Sequence, residues 1–230
     1  MDFLEKELGG LRALVLKGDE DKAISLFHGY GASMEDLAPL AQYIRQVSNA
    51  TLYFPNAPLS IDIGYGYVGY AWFPIDFAEI EALQREGKAR DLSRAFPHGF
   101  AQARLYVDNF YRAVGALHKK QMVGGFSQGA MLATDLMLRS EHELGGLLIL
   151  SGTLVAESEW RLLAAKKPPF SFFQSHGRHD PILPFSMAQR LFELLEEANH
   201  QGRFVEFAGG HEIPPMVLEE MLLYIQQIFP

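Results

Sequence analysis

The chain has 230 residues, of which 48% are hydrophobic and 21% charged, a balance typical of a globular protein rather than a disordered one. It contains no cysteine, which excludes disulfides, Cys-ligated metal centres and a thiol nucleophile. Its formal net charge is −8 and it has no basic run, so the sequence predicts neither a nucleic-acid partner nor binding to anionic lipid.

The beginning of the chain, MDFLEKELGG, lacks the basic start and the apolar stretch of a secretory signal. No stretch approaches the ~18 apolar residues that a membrane span requires. We therefore expect a soluble, cytoplasmic protein without stable membrane insertion. The sequence leaves open whether this protein is a monomer or a homodimer.

Apolar periodicity in the first half predicts two strands, a helix, another strand and a long helix. Strands over residues 11–16 and 22–28 flank a polar turn and predict an antiparallel N-terminal hairpin. Ser33 and Asp36 resemble a helix cap before an apolar helical face over residues 37–47. A strand over residues 50–54 and an amphipathic helix over residues 103–117 follow.

The second half alternates strands with helices. The predicted strands cover residues 122–126, 147–150, 170–174 and 203–207, and the helices cover residues 128–139, 187–198 and 217–228. This alternation favours an α/β protein, a mostly parallel central sheet with helices on both faces. We expect one domain over residues 1–230, with residues 55–97 as a cover or insertion that does not follow the alternation.

The pentapeptide GFSQG at residues 125–129 lies between a predicted strand and a predicted helix. This spacing matches a nucleophile elbow, in which a serine occupies a strained backbone conformation at the tip of a tight turn. Glycines stand two residues away on either side because larger side chains would strike the strand and the helix. The sequence therefore predicts Ser127 as a nucleophile.

A serine hydroxyl needs a base, and the base needs an acid that orients it. In hydrolases with such an elbow, the acid and then the histidine follow the serine along the chain. Asp180 follows the strand predicted over residues 170–174, and His211 follows the strand predicted over residues 203–207. Because the carboxyl ends of parallel strands meet at one edge of a sheet, we expect Ser127, Asp180 and His211 to form a catalytic site there.

Two other assignments stay open at this point. Glu157 or Glu159 could replace Asp180 as the acid, although both lie before the predicted strand rather than after it. His176, His179 and Asp180 could instead bind a metal ion, although the sequence shows no fourth ligand with suitable spacing. The favoured interpretation uses no metal and no cofactor.

The oxyanion of an acyl-transfer reaction needs two N–H donors. One is expected from the backbone of Gln128, the residue after the nucleophile. The other is expected from Tyr30, in the glycine-flanked sequence HGYG that follows an early strand. His28 is expected to hold this loop by hydrogen bonds rather than to transfer protons.

Five blocks, LFHGYGAS, FPNAP, GFSQG, HGRHDPILP and GGHEIP, occur in this order between residues 24 and 215. They resemble the signature blocks of the phospholipase/carboxylesterase family of α/β-hydrolases, which includes the acyl-protein thioesterases. The resemblance implies the α/β-hydrolase fold, a triad of Ser127, Asp180 and His211, and an oxyanion hole from Tyr30 and Gln128. One departure is Pro74, which stands where the family usually has Asp after a tryptophan and an aromatic residue.

Members of this family commonly cleave carboxylic esters, thioesters or lysophospholipids without a cofactor. The resemblance therefore implies a serine carboxylesterase that acts on small or medium acyl chains through an acyl-enzyme. An acyl thioesterase or a lysophospholipase with the same triad is one alternative, and a catalytically silent binding module on the same fold is another. The expected partner is a small-molecule or acylated substrate.

The predicted cover contains a dense run of large apolar side chains over residues 61–77. A single domain seldom needs so many of them outside its core, and apolar clefts bind apolar parts of substrates. We therefore expect Tyr65, Tyr67, Trp72 and Phe73 to bind the acyl chain, and Trp72→Ala to flatten the dependence of activity on acyl length. The alternative is that Trp72 only packs the segment.

Overall fold

The computed structural model describes residues 1–86, 91–141 and 144–229. Within these residues, eight strands form one central sheet and two form a small separate sheet. The strands are β1 (Leu4–Leu8), β2 (Leu11–Leu16), β3 (Asp19–Phe27), β4 (Ala50–Pro55), β5 (Leu59–Asp62), β6 (Val68–Ala71), β7 (Lys120–Phe126), β8 (Gly146–Leu150), β9 (Ser171–Gly177) and β10 (Gln201–Phe207).

The central sheet has the strand order β1-β2-β4-β3-β7-β8-β9-β10. Its first two pairings, β1 with β2 and β2 with β4, are antiparallel, and all pairings from β4 to β10 are parallel. The parallel strands read as nearly continuous apolar runs because both of their faces are covered. This mostly parallel sheet is the α/β-hydrolase fold that the sequence predicted.

The antiparallel N-terminal hairpin and both predicted strands are present, but the pairing of the strand over residues 11–16 with the strand over residues 22–28 is wrong. β2 pairs with β1 through a turn at Gly9 and Gly10, which have φ values of 58° and 84°. β3 does not pair with β2, because β4 lies between them. The second half of β3 is buried throughout, and such a strand is stabilised best at the centre of the sheet, where β4 and β7 flank it.

Helices cover both faces of the sheet. They are α1 (Ala41–Ile44), which follows a 3-10 turn at Ala38–Leu40, α2 (Phe77–Arg85), α3 (Phe100–Gly115), α4 (Gln128–Arg139), α5 (Glu157–Lys166), α6 (Phe185–Glu197) and α7 (Pro215–Ile228). One apolar core lies beneath α3, α4, α5 and α6, and a second lies beneath α1 and α7. No helix among the described residues combines the length and apolarity needed to cross a bilayer.

Three differences separate the predicted helices from the observed ones. The helix expected over residues 37–47 is only the 3-10 turn and α1, and residues 45–47 continue as turns whose N–H groups donate to carbonyls three or four residues earlier. Neither α2 nor α5 was predicted. α2 lies inside the segment predicted as a cover, of which residues 87–90 fall outside the described part of the chain.

The same segment contains an antiparallel hairpin of β5 and β6, which we call the cover hairpin (residues 59–71). Its second strand is hydrogen-bonded to the loop at residues 28–32. The Gly31 N–H donates to the Tyr70 carbonyl over 2.9 Å, and the Tyr70 N–H donates to the Ala32 carbonyl over 2.8 Å. The cover hairpin is therefore fixed to the loop that follows β3.

Candidate active site

Ser127, Asp180 and His211 lie at one edge of the sheet because β7, β9 and β10 run parallel and the three residues follow their carboxyl ends. Backbone hydrogen bonds connect the loops at this edge. The Ser127 N–H donates to the carbonyl of Leu150 over 2.9 Å, and the Arg178 N–H donates to that of Phe207 over 2.8 Å. These bonds fix the loops that carry the candidate residues relative to one another.

Ser127 occupies the strained conformation that a nucleophile elbow requires. Its φ and ψ are 55° and −116°, a region that costs a non-glycine residue about 1–3 kcal/mol. A Cβ on Gly129 would lie 2.0 Å from the carbonyl oxygen of Phe27, and a Cβ on Gly125 would lie 2.5 Å from the carbonyl carbon of Gly129. The elbow therefore tolerates no side chain at either glycine, as the sequence pattern predicted.

The Asp180 carboxylate is buried and accepts hydrogen bonds on both oxygens. Oδ2 lies 2.7 Å from His211 Nδ1, and Oδ1 accepts the N–H groups of Ile182 and Leu183 over 2.8 and 2.9 Å. His176 Nε2 approaches Oδ2 to 3.3 Å. Burial alone would raise the pKa of Asp180, but the donors from His176, His211 and Leu183 outweigh it and hold this pKa well below its usual range.

His211 is oriented by Asp180 on one side and contacts the elbow on the other. Its ring lies 4.8 Å, centroid to centroid, from that of Phe126, the residue immediately before Ser127. Because Asp180 can only accept when ionised, Nδ1 carries the proton and Nε2 of the neutral ring is left as a proton acceptor. About a sixth of the His211 side chain is exposed, at 17%, so substrate can reach the site.

The loop at residues 28–32, which we call the oxyanion loop after the role predicted for Tyr30, passes directly beside the elbow. A Cβ on Gly29 would lie 3.4 Å from Ser127 Cβ. His28 holds the loop through two hydrogen bonds, as the sequence predicted: Nδ1 lies 2.7 Å from the Gly29 carbonyl, and Nε2 accepts the Ala57 N–H over 3.0 Å. Burial lowers the pKa of His28 from 6.5 to about 4, despite the opposing hydrogen bond to Gly29.

Gln128 has two roles in the geometry of the site. It is the first residue of α4, where backbone N–H groups have no acceptor within the helix. Its side chain binds the segment after β6, since Oε1 accepts the Trp72 N–H over 3.1 Å and Nε2 donates to the Phe73 carbonyl over 2.8 Å. Trp72 Nε1 in turn donates to the His28 carbonyl over 2.9 Å. The elbow, the cover segment and the oxyanion loop are thus one hydrogen-bonded unit.

The four residues predicted to bind the acyl chain separate into two pairs. Trp72 and Phe73 are almost completely buried in the core, so they offer no free surface to a substrate. Tyr65 and Tyr67 are exposed at the tip of the cover hairpin. Ile63 of the same tip lies 3.7 Å from the position of a Cβ on Gly31, next to the oxyanion loop. The acyl-binding prediction is therefore wrong for Trp72 and Phe73, and it stays a prediction for Tyr65 and Tyr67.

The structure places the alternative acid residues away from Asp180. Glu157 pairs with Arg161 over 3.1 Å and with Arg190 over 2.5 Å, and Glu159 pairs with Arg104 over 3.1 Å. Within the described ranges, no three His, Asp or Glu side chains converge in a way that could hold a metal ion. His176 is directed at Asp180 and at the Leu183 carbonyl rather than at a shared metal position.

The strand order and the strained elbow are those expected of a hydrolase with the α/β-hydrolase fold. The family model described as phospholipase/carboxylesterase matches residues 14–229. The chain therefore belongs to the phospholipase/carboxylesterase family and is an enzyme that hydrolyses esters, which confirms the resemblance seen in the sequence.

Relatives of this chain include two fungal proteins named acyl-protein thioesterase 1. The one from Eremothecium gossypii is 26% identical over 216 residues, which cover 89% of this chain and 86% of that protein. The one from Kluyveromyces lactis is 31% identical over 183 residues, which cover 74% and 75%. Both alignments cover most of each protein, so the similarity is not confined to one motif.

Solved structures extend the comparison. Esterase PE8 has a TM-score of 0.79 at 25% identity, with 95% of this chain and 99% of that chain covered. The Bacillus cereus carboxylesterase has a TM-score of 0.70 at 21% identity, with 95% of each chain covered, and this similarity shows the fold alone.

Proposed function

We propose that Ser127, His211 and Asp180 form the catalytic triad of a serine carboxylesterase, with the N–H groups of Tyr30 and Gln128 as the oxyanion hole. The observation that carries this proposal is the 2.7 Å contact between His211 Nδ1 and Asp180 Oδ2 beside a serine in the strained elbow conformation. Ester hydrolysis by this triad uses no cofactor, and all reacting groups come from the chain and the substrate.

The geometry supports a two-step reaction. His211 Nε2 removes the proton of Ser127 Oγ as this oxygen attacks the ester carbonyl, and the two N–H groups bind the resulting oxyanion. Collapse of the tetrahedral intermediate breaks the bond to the leaving alcohol, which takes the proton from His211, and leaves an acyl-serine. Water, deprotonated by His211, then releases the acid. Asp180 stabilises the imidazolium formed in each step.

The proposed substrates are esters of small or medium acyl chains. The cover hairpin supports this choice, because it exposes apolar surface at Ile63, which lies next to the oxyanion loop, and at Tyr67 and Val68. A burial of about 0.8 kcal/mol per CH₂ gives an increase in kcat/KM of roughly 10²-fold between acetyl and hexanoyl esters. The names of the fungal relatives support thioesters as a second candidate substrate class.

One substrate panel tests these proposals. It compares acetyl, hexanoyl and decanoyl esters with the matching thioesters and a lysophospholipid, for wild type and for Ser127→Ala. We expect Ser127→Ala to lower kcat by about 10⁴-fold or more, with unfolding unchanged. The matched control is Ser186→Ala, at an exposed serine of α6, which should leave kcat unchanged.

The ratio of thioester to ester kcat/KM decides between the two substrate classes. Near-normal turnover by Ser127→Ala would contradict the triad. Absence of turnover for every member of the panel in the wild-type protein would favour a catalytically silent binding module.

A further inference from the structure

His176 is a buried imidazole that the triad mechanism does not use. Its side chain has no exposed surface, and its ring lies on β9 four residues before Asp180. Nε2 lies 3.0 Å from the Leu183 carbonyl and 3.3 Å from Asp180 Oδ2. Nδ1 has no hydrogen-bond partner among the described residues. The ring therefore directs one nitrogen at the turn that carries the acid of the triad.

The identity of these neighbours fixes where the proton resides. The Leu183 carbonyl can only accept, and so can the ionised carboxylate of Asp180. Nε2 therefore carries the proton and donates it to both oxygens in a shared hydrogen bond. His176 thus holds the two ends of the turn at residues 180–183 together while contacting the same carboxylate oxygen that receives His211.

The two carboxylate oxygens of Asp180 have different hydrogen-bond partners. Oδ1 is held by the N–H groups of Ile182 and Leu183, which belong to its own turn. Oδ2 faces two imidazoles, His176 from β9 and His211 from the loop after β10. Among the residues that the structure describes, these are the titratable side chains that face this carboxylate. The direction of the Oδ2 lone pairs, and hence of the His211 ring, depends on both.

We propose that His176 is a positioning residue of the esterase reaction: its Nε2–H orients Asp180 Oδ2 toward His211 and shares the negative charge of that oxygen. This inference rests on the proposed triad and adds a fourth side chain to it. His176 does not touch substrate, so its effect passes entirely through Asp180. It should change the turnover of the acyl-enzyme reaction rather than the binding of the ester.

The decisive comparison is between His176→Leu, which removes the donor, and His176→Gln, whose side-chain amide carries a donor near the position of Nε2. In His176→Leu, we expect kcat to fall about tenfold with KM unchanged. The acid limb of kcat/KM should move to higher pH by about half a unit or more, because Oδ2 then concentrates its charge on the His211 imidazolium. His176→Gln should restore most of both quantities.

Two controls separate positioning from stability. His200→Leu removes another buried imidazole, one that contacts the Ala164 carbonyl and the Phe170 N–H away from the active site, and it should leave the acid limb in place. Active-site titration with a fluorophosphonate normalises kcat to folded enzyme. If His176→Leu does not fold, His176→Asn replaces it, since its shorter amide does not reach the oxygens that Nε2 contacts.

An unmoved acid limb in the donor-less variant, or equal losses in kcat for the donor-less variant and His176→Gln, would overturn the inference. A failure of the triad itself would appear separately, as normal turnover by Ser127→Ala. The two results are therefore distinguishable in the same set of proteins.

Discussion

His28 holds its loop only as a neutral ring, whereas a histidine at low pH tends to bind a proton. Its two ring nitrogens hold the oxyanion loop, and the arrangement of Gly29 and Ala57 around it requires the neutral ring. Burial keeps the ring neutral and lowers its pKa to about 4. The residue therefore stabilises the loop at neutral pH at the expense of stability in acid.

We expect this histidine to make the native state acid-sensitive. Between pH 6.5 and about pH 4 the unfolded chain binds a proton that native His28 does not, so the free energy of unfolding falls as the pH falls through this range. Above pH 6.5 the neutral state of His28 contributes about 3 kcal/mol to the free energy of unfolding, and this contribution is lost by pH 4. Urea denaturation of wild type and His28→Gln between pH 7 and pH 4 measures the difference.

Comparing how the free energy of unfolding depends on pH in the two proteins separates the contribution of His28 from those of other groups. Burial also lowers the pKa values of His118 and His200, but both are present in the two proteins and cancel. The wild-type protein should lose about 3 kcal/mol more than His28→Gln over this range. Parallel slopes would show that His28 titrates normally in the native protein.

At the scale of single residues, the sequence was sufficient for those whose role is set by local geometry. The need for glycine on either side of the elbow and the loop-holding role of His28 follow from short patterns and are confirmed, whereas the triad of Ser127, Asp180 and His211 stays a prediction. The side-chain role of Gln128 could not be predicted, because its partners Trp72 and Phe73 lie more than fifty residues earlier and no periodicity connects them.

At the scale of whole elements, too, contacts between distant parts of the sequence could not be predicted, as the cover hairpin shows. The sequence showed a dense run of large apolar side chains over residues 61–77, but not that Trp72, just after this hairpin, is buried with its indole N–H bonded to the His28 carbonyl. The pairing of β2 was mispredicted for a related reason. A polar turn between two strands indicates a hairpin locally, whereas the position of β3 in the sheet depends on β4 and β7.

We expect Trp72 to act on the oxyanion loop rather than on acyl selection. Trp72→Phe removes the indole N–H donor and preserves an aromatic ring beside Phe27, whose centroid lies 5.4 Å away. It should lower kcat by about tenfold, equally for acetyl, hexanoyl and decanoyl esters, because a hydrogen bond to the loop is lost. Profiles of kcat/KM against acyl length for both proteins measure this effect.

The matched variant for this test is Tyr67→Ser at the exposed tip of the cover hairpin. If the tip contacts the acyl chain, Tyr67→Ser should flatten the profile while acetyl ester hydrolysis is spared. A flattened profile in Trp72→Phe with normal turnover of the acetyl ester would contradict this expectation. It would support the substrate-binding role that the sequence predicted for Trp72.

Across the whole molecule, one buried carboxylate joins three helices. Asp135 of α4 has no exposed side-chain surface and accepts hydrogen bonds from Arg104 of α3, from Arg139 and from Trp160 of α5, over 2.6 to 3.1 Å. Arg104 also lies over the Phe96 ring, 3.9 Å from its centroid. This network ties α4, the helix that begins at the elbow, to its neighbours.

We expect Asp135→Ala to destabilise the protein by about 1–3 kcal/mol, because the buried Trp160 Nε1–H loses its acceptor while Arg104 and Arg139 keep their pairs with Glu159 and Asp108. Denaturant unfolding measures this change. Glu81→Ala is the control, since its pair with Arg85 is exposed and should contribute little. A loss no larger than that of the control would mean that the network contributes specificity of packing rather than stability.

The central claim is that Ser127 is the nucleophile of this enzyme, and covalent labelling tests it most directly. The protein is treated with a fluorophosphonate, residual esterase activity is followed, and the modified residue is located by peptide mass spectrometry. We expect one phosphonyl group per chain, on Ser127, with activity lost in proportion to labelling, and no labelling of Ser127→Ala. Stoichiometric labelling at another residue, or full activity in a protein labelled at Ser127, would contradict the claim.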